Sequence, residues 1–140
     1  MILNRRKFIK GKIMKKILLL MLGSCAICAE PELYFIEPKD GSVHDETVEI
    51  IFGLKNFGVA PAGYNVPNTG HHHLIIDADL PNLGLPIPAN KNYVHFGLGQ
   101  TETTINLEPG THTLRLLMGN YLHIPHTEPI YSEEITITVK

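Results

Sequence analysis

The chain has 140 residues, of which 44% are hydrophobic and 19% are charged, and its formal net charge is −2. This composition is too apolar for an intrinsically disordered chain. All 14 acidic residues follow position 29, whereas only five basic residues do, so this part of the chain carries a formal charge of −9. A nucleic-acid-binding domain needs a basic surface, and the charge therefore argues against that class.

The first 29 residues have the organisation of an export signal. Lys15 and Lys16 precede an apolar run over 17–23, and small residues follow up to Ala29. This order is typical of a secretory signal peptide, and the run is too short for a membrane-spanning helix of about 20 residues. We therefore expect residues 1–29 to be the signal peptide and residues 30–140 to form one periplasmic domain.

Two details of export stay open at this point. Met14 is the expected true start, but the Arg5-Arg6 pair resembles a twin-arginine signal if translation begins at Met1. The sequence before Cys25 fits a lipobox, which would anchor the protein through a lipid. Cleavage after Ala29 would instead release a soluble periplasmic protein.

The remaining residues show the pattern of an all-β protein. Short apolar or alternating runs recur between turn signals, which predicts about seven strands. These runs cover residues 33–36, 47–54, 72–77, 93–96, 102–107, 112–118 and 134–139. Seven strands in about 110 residues favour an immunoglobulin-like antiparallel β-sandwich, with a closed barrel as the alternative. Two long loops rich in proline and glycine, 56–70 and 79–92, are candidates for ordered functional loops.

The histidines are the strongest candidates for a functional site. Eight of them follow Gly41, and most cluster in three places, which supply the candidate ligands His71, His73, His95, His123 and His126. Alternate residues of a strand share a face, so His71 and His73 should point one way and His72 the other. Imidazole is a good ligand for copper and zinc, and these five histidines therefore predict a metal site for one of those ions.

A structural role is the alternative for the same histidines, with each ring hydrogen-bonded to loop carbonyls or to carboxylates such as Asp77 and Glu102. For His112 we expect this role, a buried ring with both nitrogens satisfied. His44 stands in a polar turn, where solvent is its expected partner.

Catalytic motifs are weak in this sequence. The serines that follow the signal, Ser42 and Ser132, do not lie in a nucleophile elbow. Both cysteines belong to the predicted signal, which leaves the domain without a disulfide or a thiol nucleophile. Asp77 and Asp79 fit solvated turn residues better than paired carboxylates. The sequence therefore predicts a binding protein rather than an enzyme.

Five strings in this sequence resemble a bacterial family of small secreted domains, the domain-of-unknown-function family 4399. They are GVAPAG at 58–63, NTGHHHL at 68–74, HFGLGQTE at 95–102, PGTHTL at 109–114 and HIPH at 123–126. The resemblance covers nearly all of the chain after the signal. It implies a signal-bearing, periplasmic protein, and it implies no activity and no ligand residues.

Two functions of different classes follow from these observations. The first is a periplasmic binding domain that holds copper or zinc through the histidines beside the two long loops. The second is a non-catalytic interaction module for a protein, a glycan or another cell-envelope partner, since immunoglobulin-like sandwiches often serve that purpose. A redox enzyme comes third, because it needs both a bound metal and an open coordination position.

Overall fold

The structure, a computed structural model, describes residues 29–140. The predicted export signal lies outside the described residues except for its last position, Ala29. Within the described part, no helix is long and apolar enough to cross a membrane. The described residues instead form strands joined by turns and loops.

Nine strands form two sheets in this part of the chain. In chain order they are β1 (Glu32–Glu37), β2 (Val43–His44), β3 (Thr47–Lys55), β4 (Gly58–Val59), β5 (Thr69–Ile76), β6 (Tyr93–His95), β7 (Glu102–Asn106), β8 (Gly110–Gly119) and β9 (Ile135–Val139). The smaller sheet has the order β1-β3-β7, and the larger one has the order β2-β9-β8-β5-β4, with β6 also paired to β5. The β2–β9 and β4–β5 pairs are parallel, and the other pairs are antiparallel.

The main core lies between the two sheets, where alternate residues of the facing strands interdigitate. Val48, Ile50 and Phe52 of β3 are buried there, because every second side chain of a strand points to the same face. The larger sheet contributes a matching apolar face, formed by Leu74, Ile76, Leu114, Leu116, Met118, Ile137 and Val139. This layered arrangement is a sandwich of two sheets whose strands are mainly antiparallel.

The larger sheet is also covered on its outer face, and this second layer positions the candidate site. Ile75 and Leu117 point outward and pack against Ile87, which belongs to the loop over residues 79–92. Strand β5 is therefore buried on both faces, from Gly70 to Ile76. The loop lies over the sheet as an ordered cover.

The predicted all-β sandwich is confirmed, and each of the seven predicted runs overlaps one strand of the structure. The closed barrel is not formed, since the strands divide into two sheets. Two short strands, β2 and β4, went unpredicted because two-residue segments carry no recognisable alternation. Strand β5 begins at Thr69, three residues earlier than predicted, because Gly58 and Val59 of β4 pair with its first residues.

Candidate metal site

The triple histidine at residues 71–73 lies in β5, where strand alternation separates its members. His71 and His73 point to the outer face, under the loops. His72 points to the main core, where its ring lies 4.7 Å from that of Phe52 and its Nδ1 lies 3.1 Å from the Gln100 carbonyl oxygen. The predicted division of these side chains agrees with the structure.

His95 joins the same outer face through strand pairing. Its strand, β6, runs antiparallel to β5 with His95 directly opposite His73. Directly opposed residues of an antiparallel pair project to the same side, and their Cβ atoms are about 5 Å apart. The two imidazole rings accordingly stack, with centroids 5.0 Å apart and an angle of 28° between their planes.

His123 reaches the site from a turn that follows β8. Its backbone has a φ of 62°, an unusual value for a residue with a side chain. The Asn120 side chain stabilises this turn by accepting hydrogen bonds from the amides of Leu122 and Ile124. The His123 amide donates to the Asn120 carbonyl at 2.9 Å, which closes the turn.

These four histidines form one compact cluster, which we call the histidine cluster (His71, His73, His95 and His123). The His71 ring is its centre, with centroid distances of 4.8 Å to His73 and 4.9 Å to both His95 and His123. The His95 and His123 centroids are 4.5 Å apart. One ring nitrogen from each of His71, His95 and His123 lies within 4.8 Å of the other two.

Backbone hydrogen bonds fix the loops around the histidine cluster. The amide of Ala62 donates to the Gly97 carbonyl at 2.8 Å, and that of Gly63 donates to the Tyr121 carbonyl at 3.0 Å. From the other side, the Ile87 amide donates to the carbonyl of His123 itself at 2.7 Å. Both of the long loops therefore help to hold the turns that carry His95 and His123.

The histidine cluster ranges from full burial to exposure. His71 and His73 are 0% and 1% exposed, His123 is half-buried, and His95 is exposed. Both nitrogens of His71 and the Nδ1 of His73 are buried and make no hydrogen bond within the protein, and the same is true of the Nε2 of His72 in the main core. Leaving a buried polar group without a partner costs about 1–3 kcal/mol, so the fold maintains this arrangement against a penalty.

Burial and crowding favour the neutral form of His71, His73 and His95. Burial is the main cause that lowers the pKa of His71 to about 4, and proximity to His95 and His123 lowers it further. The pKa of His73 is lowered to about 3 by burial and then by His71, His95 and His123. The pKa of His95 is also lowered, first by burial and then by His123. Neutral imidazole is the form that binds a metal ion.

His126, the fifth predicted ligand, lies beside the histidine cluster rather than within it. Its ring contacts Phe57 edge-on at a centroid distance of 5.1 Å, and its Nε2 is buried without a partner. Burial lowers its pKa. Its ring nitrogens are not among those that converge, and a ligand role for His126 stays a prediction.

The two remaining histidines lie elsewhere and have hydrogen-bond partners. His112 has its Nδ1 2.7 Å from an Asp77 carboxylate oxygen and its Nε2 2.8 Å from the Glu108 carbonyl oxygen. The ring is satisfied, as predicted, but it is partly exposed rather than buried. His44, which was expected to be solvated, lies at intermediate exposure with its Nε2 2.7 Å from the Ser42 hydroxyl.

Two glycines, neither of them predicted as part of the site, make room for the rings. A Cβ atom at Gly97 would overlap the His95 ring, and one at Gly119 would lie 2.7 Å from Cε1 of His73. Gly119 pairs with His71 across β5 and β8, so the absence of a side chain there leaves space above the sheet. The sequence carries a local sign of Gly97 alone, since it lies two residues from His95, whereas Gly119 meets His73 only through the pairing of β5 with β8.

Three imidazole nitrogens in this arrangement can coordinate one transition-metal ion. Bonds of about 2.0–2.1 Å from zinc to histidine would place the nitrogens about 3.4 Å apart. Because the present separation is up to 4.8 Å, the nitrogens would have to approach one another by up to about 1.4 Å to bind an ion. His95 and His123 approach the surface, which provides a route for the ion.

Comparison with known proteins assigns the chain to a family. A family model described as domain of unknown function (DUF4399) matches residues 50–140, and the chain belongs to that family. The match contains every member of the histidine cluster. No curated protein matches the chain.

One solved structure that is similar to this chain is the endo-beta-1,4-mannanase from Thermotoga petrophila. The two share 18% sequence identity with a TM-score of 0.47, over 80% of this chain and 20% of the mannanase chain. The match therefore spans about one fifth of that enzyme.

Proposed function

We propose that this protein is a periplasmic metal-binding domain that holds one copper or zinc ion through His71, His95 and His123. The convergence of three ring nitrogens within 4.8 Å is the observation that carries the proposal. Imidazole is among the preferred ligands of both metals. The periplasmic location rests on the export signal that the sequence predicts.

The unsatisfied nitrogens of His71 support this proposal over a structural role for the histidine cluster. Buried polar side chains in native proteins nearly always have a hydrogen-bond partner, and both nitrogens of this fully buried ring lack one in the protein. A metal ion would be the partner of one of these two nitrogens. His73 stacks on His95 and fixes the orientation of that ring, so we assign it a positioning role.

A calorimetric titration of the purified protein with Cu(I), Cu(II) and Zn(II) tests the proposal. We expect saturable binding with a stoichiometry of one, and a loss of at least about 100-fold in affinity when one ligand is removed. His123→Asn is the most suitable variant, because asparagine tolerates the positive φ at this position. His44→Gln is the matched control, since it removes a histidine outside the histidine cluster.

Binding of equal strength in the wild type and in His123→Asn would contradict the assignment of this ligand. The absence of binding tighter than that of free histidine would contradict the function itself. In that case the non-catalytic interaction module would become the leading hypothesis.

A further inference from the structure

The proposed metal site has no negative charge of its own. Its converging ligand atoms all belong to imidazoles, which are neutral when they bind a metal. The segments around it also lack charged residues, in contrast to a domain with a formal charge of −9. No Asp, Glu, Lys or Arg occurs in residues 56–76, 80–90, 92–101 or 116–127.

The one charged residue in the strands that frame the site is a cation. Arg115 lies in β8 opposite Ile75, two residues from Leu117, which is opposite His73. Its position therefore places it on the same outer face as the histidine cluster. Its guanidinium Nη2 lies 3.6 Å from a carboxylate oxygen of Glu134, and this partly exposed pair weakens but does not cancel the repulsion between Arg115 and a bound ion.

Charge determines which metal ions such a site can accept. The electrostatic cost of placing an ion in a poorly polar environment rises with the square of its charge, so a divalent ion costs about four times as much as a monovalent one. A divalent zinc ion held by three neutral histidines keeps a water molecule or a substrate as its fourth ligand. The histidine cluster offers neutral ligands at a partly buried position and no negative charge to offset this cost.

Resting on the proposed function, we infer that the site binds copper in its monovalent state, Cu(I), in preference to Zn(II) and Cu(II). The converging donors are three in number, and Cu(I) accepts three imidazole ligands. Zn(II) prefers four ligands, and His73, which is stacked on His95, is not among the converging donors, so the fourth ligand of zinc would come from solvent. A divalent ion would therefore need an anion or a water molecule from solvent.

Parallel competition titrations test this selectivity. The purified protein competes with bicinchoninate for Cu(I) under anaerobic conditions, and with chromophoric chelators for Zn(II) and Cu(II) in the same chloride-free buffer. We expect Cu(I) to bind at least about 100-fold more tightly than Zn(II). This ratio corresponds to a difference of about 2.7 kcal/mol in binding free energy. Equal or tighter binding of either divalent ion would overturn the inference.

Removing the cation near the site provides a second, independent test. Arg115→Gln should strengthen the binding of every ion. The repulsion energy between Arg115 and a divalent ion is twice that for a monovalent ion, so the fold-change in affinity for Zn(II) should be the square of that for Cu(I). Arg115→Lys keeps the charge and controls for altered packing. Lys39→Gln removes an exposed cation in the β1–β2 turn, outside the strands that frame the site, and should change neither affinity. Equal fold-changes for Zn(II) and Cu(I) in Arg115→Gln would overturn the charge argument.

The outcomes separate this inference from the proposed function. If none of the three ions binds to the wild type, both fail. If Zn(II) binds most tightly and His123→Asn loses that binding, the metal-binding function is retained and the assignment of Cu(I) alone fails.

Discussion

The two ends of strand β5 place histidines in opposite chemical environments. At its beginning, His71 is enclosed by three other imidazoles and neither of its nitrogens has a protein partner. Just beyond its other end, Asp77 accepts a hydrogen bond from the Thr113 amide and pairs with the ring of His112. The pKa is lowered in the first ring and raised in the second. One residue type therefore serves as a candidate ligand at one end and as part of the hydrogen-bonded frame at the other.

Burial is the main cause of the lowered pKa of His71, and the groups that neighbour each ring add to the difference between the two histidines. A carboxylate and a carbonyl stabilise the protonated form of His112 and occupy both of its nitrogens. Neighbouring imidazoles repel a proton on His71 and leave its nitrogens available to a metal ion. A histidine without an acidic or carbonyl partner is thus the better candidate for a ligand in this protein.

The pH dependence of folding should show the largest effect of this contrast. In the metal-free protein, His71 and His73 stay neutral when folded, whereas in the unfolded chain they bind protons below a pH of about 6.5. The free energy of unfolding should therefore decrease as the pH falls from 6.5 towards 4. Each of these two histidines should contribute about 1.4 kcal/mol per pH unit to the decrease. Urea denaturation at pH 7, 5.5 and 4.5 in the presence of a chelator measures this decrease.

A variant isolates the contribution of the histidine cluster from that of the carboxylates. His73→Leu removes one buried group with a strongly lowered pKa and should make the decrease between pH 6 and 4 shallower by about 1.4 kcal/mol per pH unit. An unchanged slope in His73→Leu would mean that the ring is not held neutral by its surroundings.

Alternation in β5 made part of this site predictable, while the rest depends on tertiary structure. A period of two places His71 and His73 on one face, whatever surrounds the strand. The pairing of His95 with His73 depends on the register of β6, and the loop that separates these strands gives no local indication of it. The position of His123 depends on a turn closed by Asn120. The sequence therefore indicated the residue types and loops, but it could not separate His126 from the cluster.

Gly97→Ala should weaken metal binding without removing a ligand. The added methyl group would overlap the His95 ring and displace it from the converging set. We expect about a tenfold loss of metal affinity, in the range seen when a group that orients a ligand is lost. Gly84→Ala is the matched control, because its Cβ would meet the nearest atom at an ordinary contact distance of 3.5 Å. Equal affinities in the two variants would show that the ring accommodates the methyl group.

His72→Gln tests whether the two faces of β5 are functionally separate. This ring is fully buried in the main core, against Phe52 and the Gln100 carbonyl. We expect the free energy of unfolding to decrease by about 1–2 kcal/mol, because the packing of the ring and its hydrogen bond are disturbed. Metal affinity should change less than about twofold, since this side chain points away from the histidine cluster. A large loss of affinity at unchanged stability would contradict the division of faces.

The smallest effect should come from the opposite end of β5, and its sign with pH is reversed. The pKa of His112 is raised, mainly by its hydrogen bond to Asp77, so its stabilising effect is complete below a pH of about 6.5 and is lost as the pH rises through the folded-state pKa. His112→Gln should therefore lower the free energy of unfolding by about 1 kcal/mol at pH 5 and by less at pH 8. The value is modest because the Asp77 carboxylate is 41% exposed.

Asp77→Asn, which keeps a side chain compatible with the positive φ at this position, should remove the pH dependence of the His112→Gln effect in a double-mutant cycle. If that dependence persists without the carboxylate, the ion pair is not its cause, and the Glu108 carbonyl is the partner that stabilises the protonated ring.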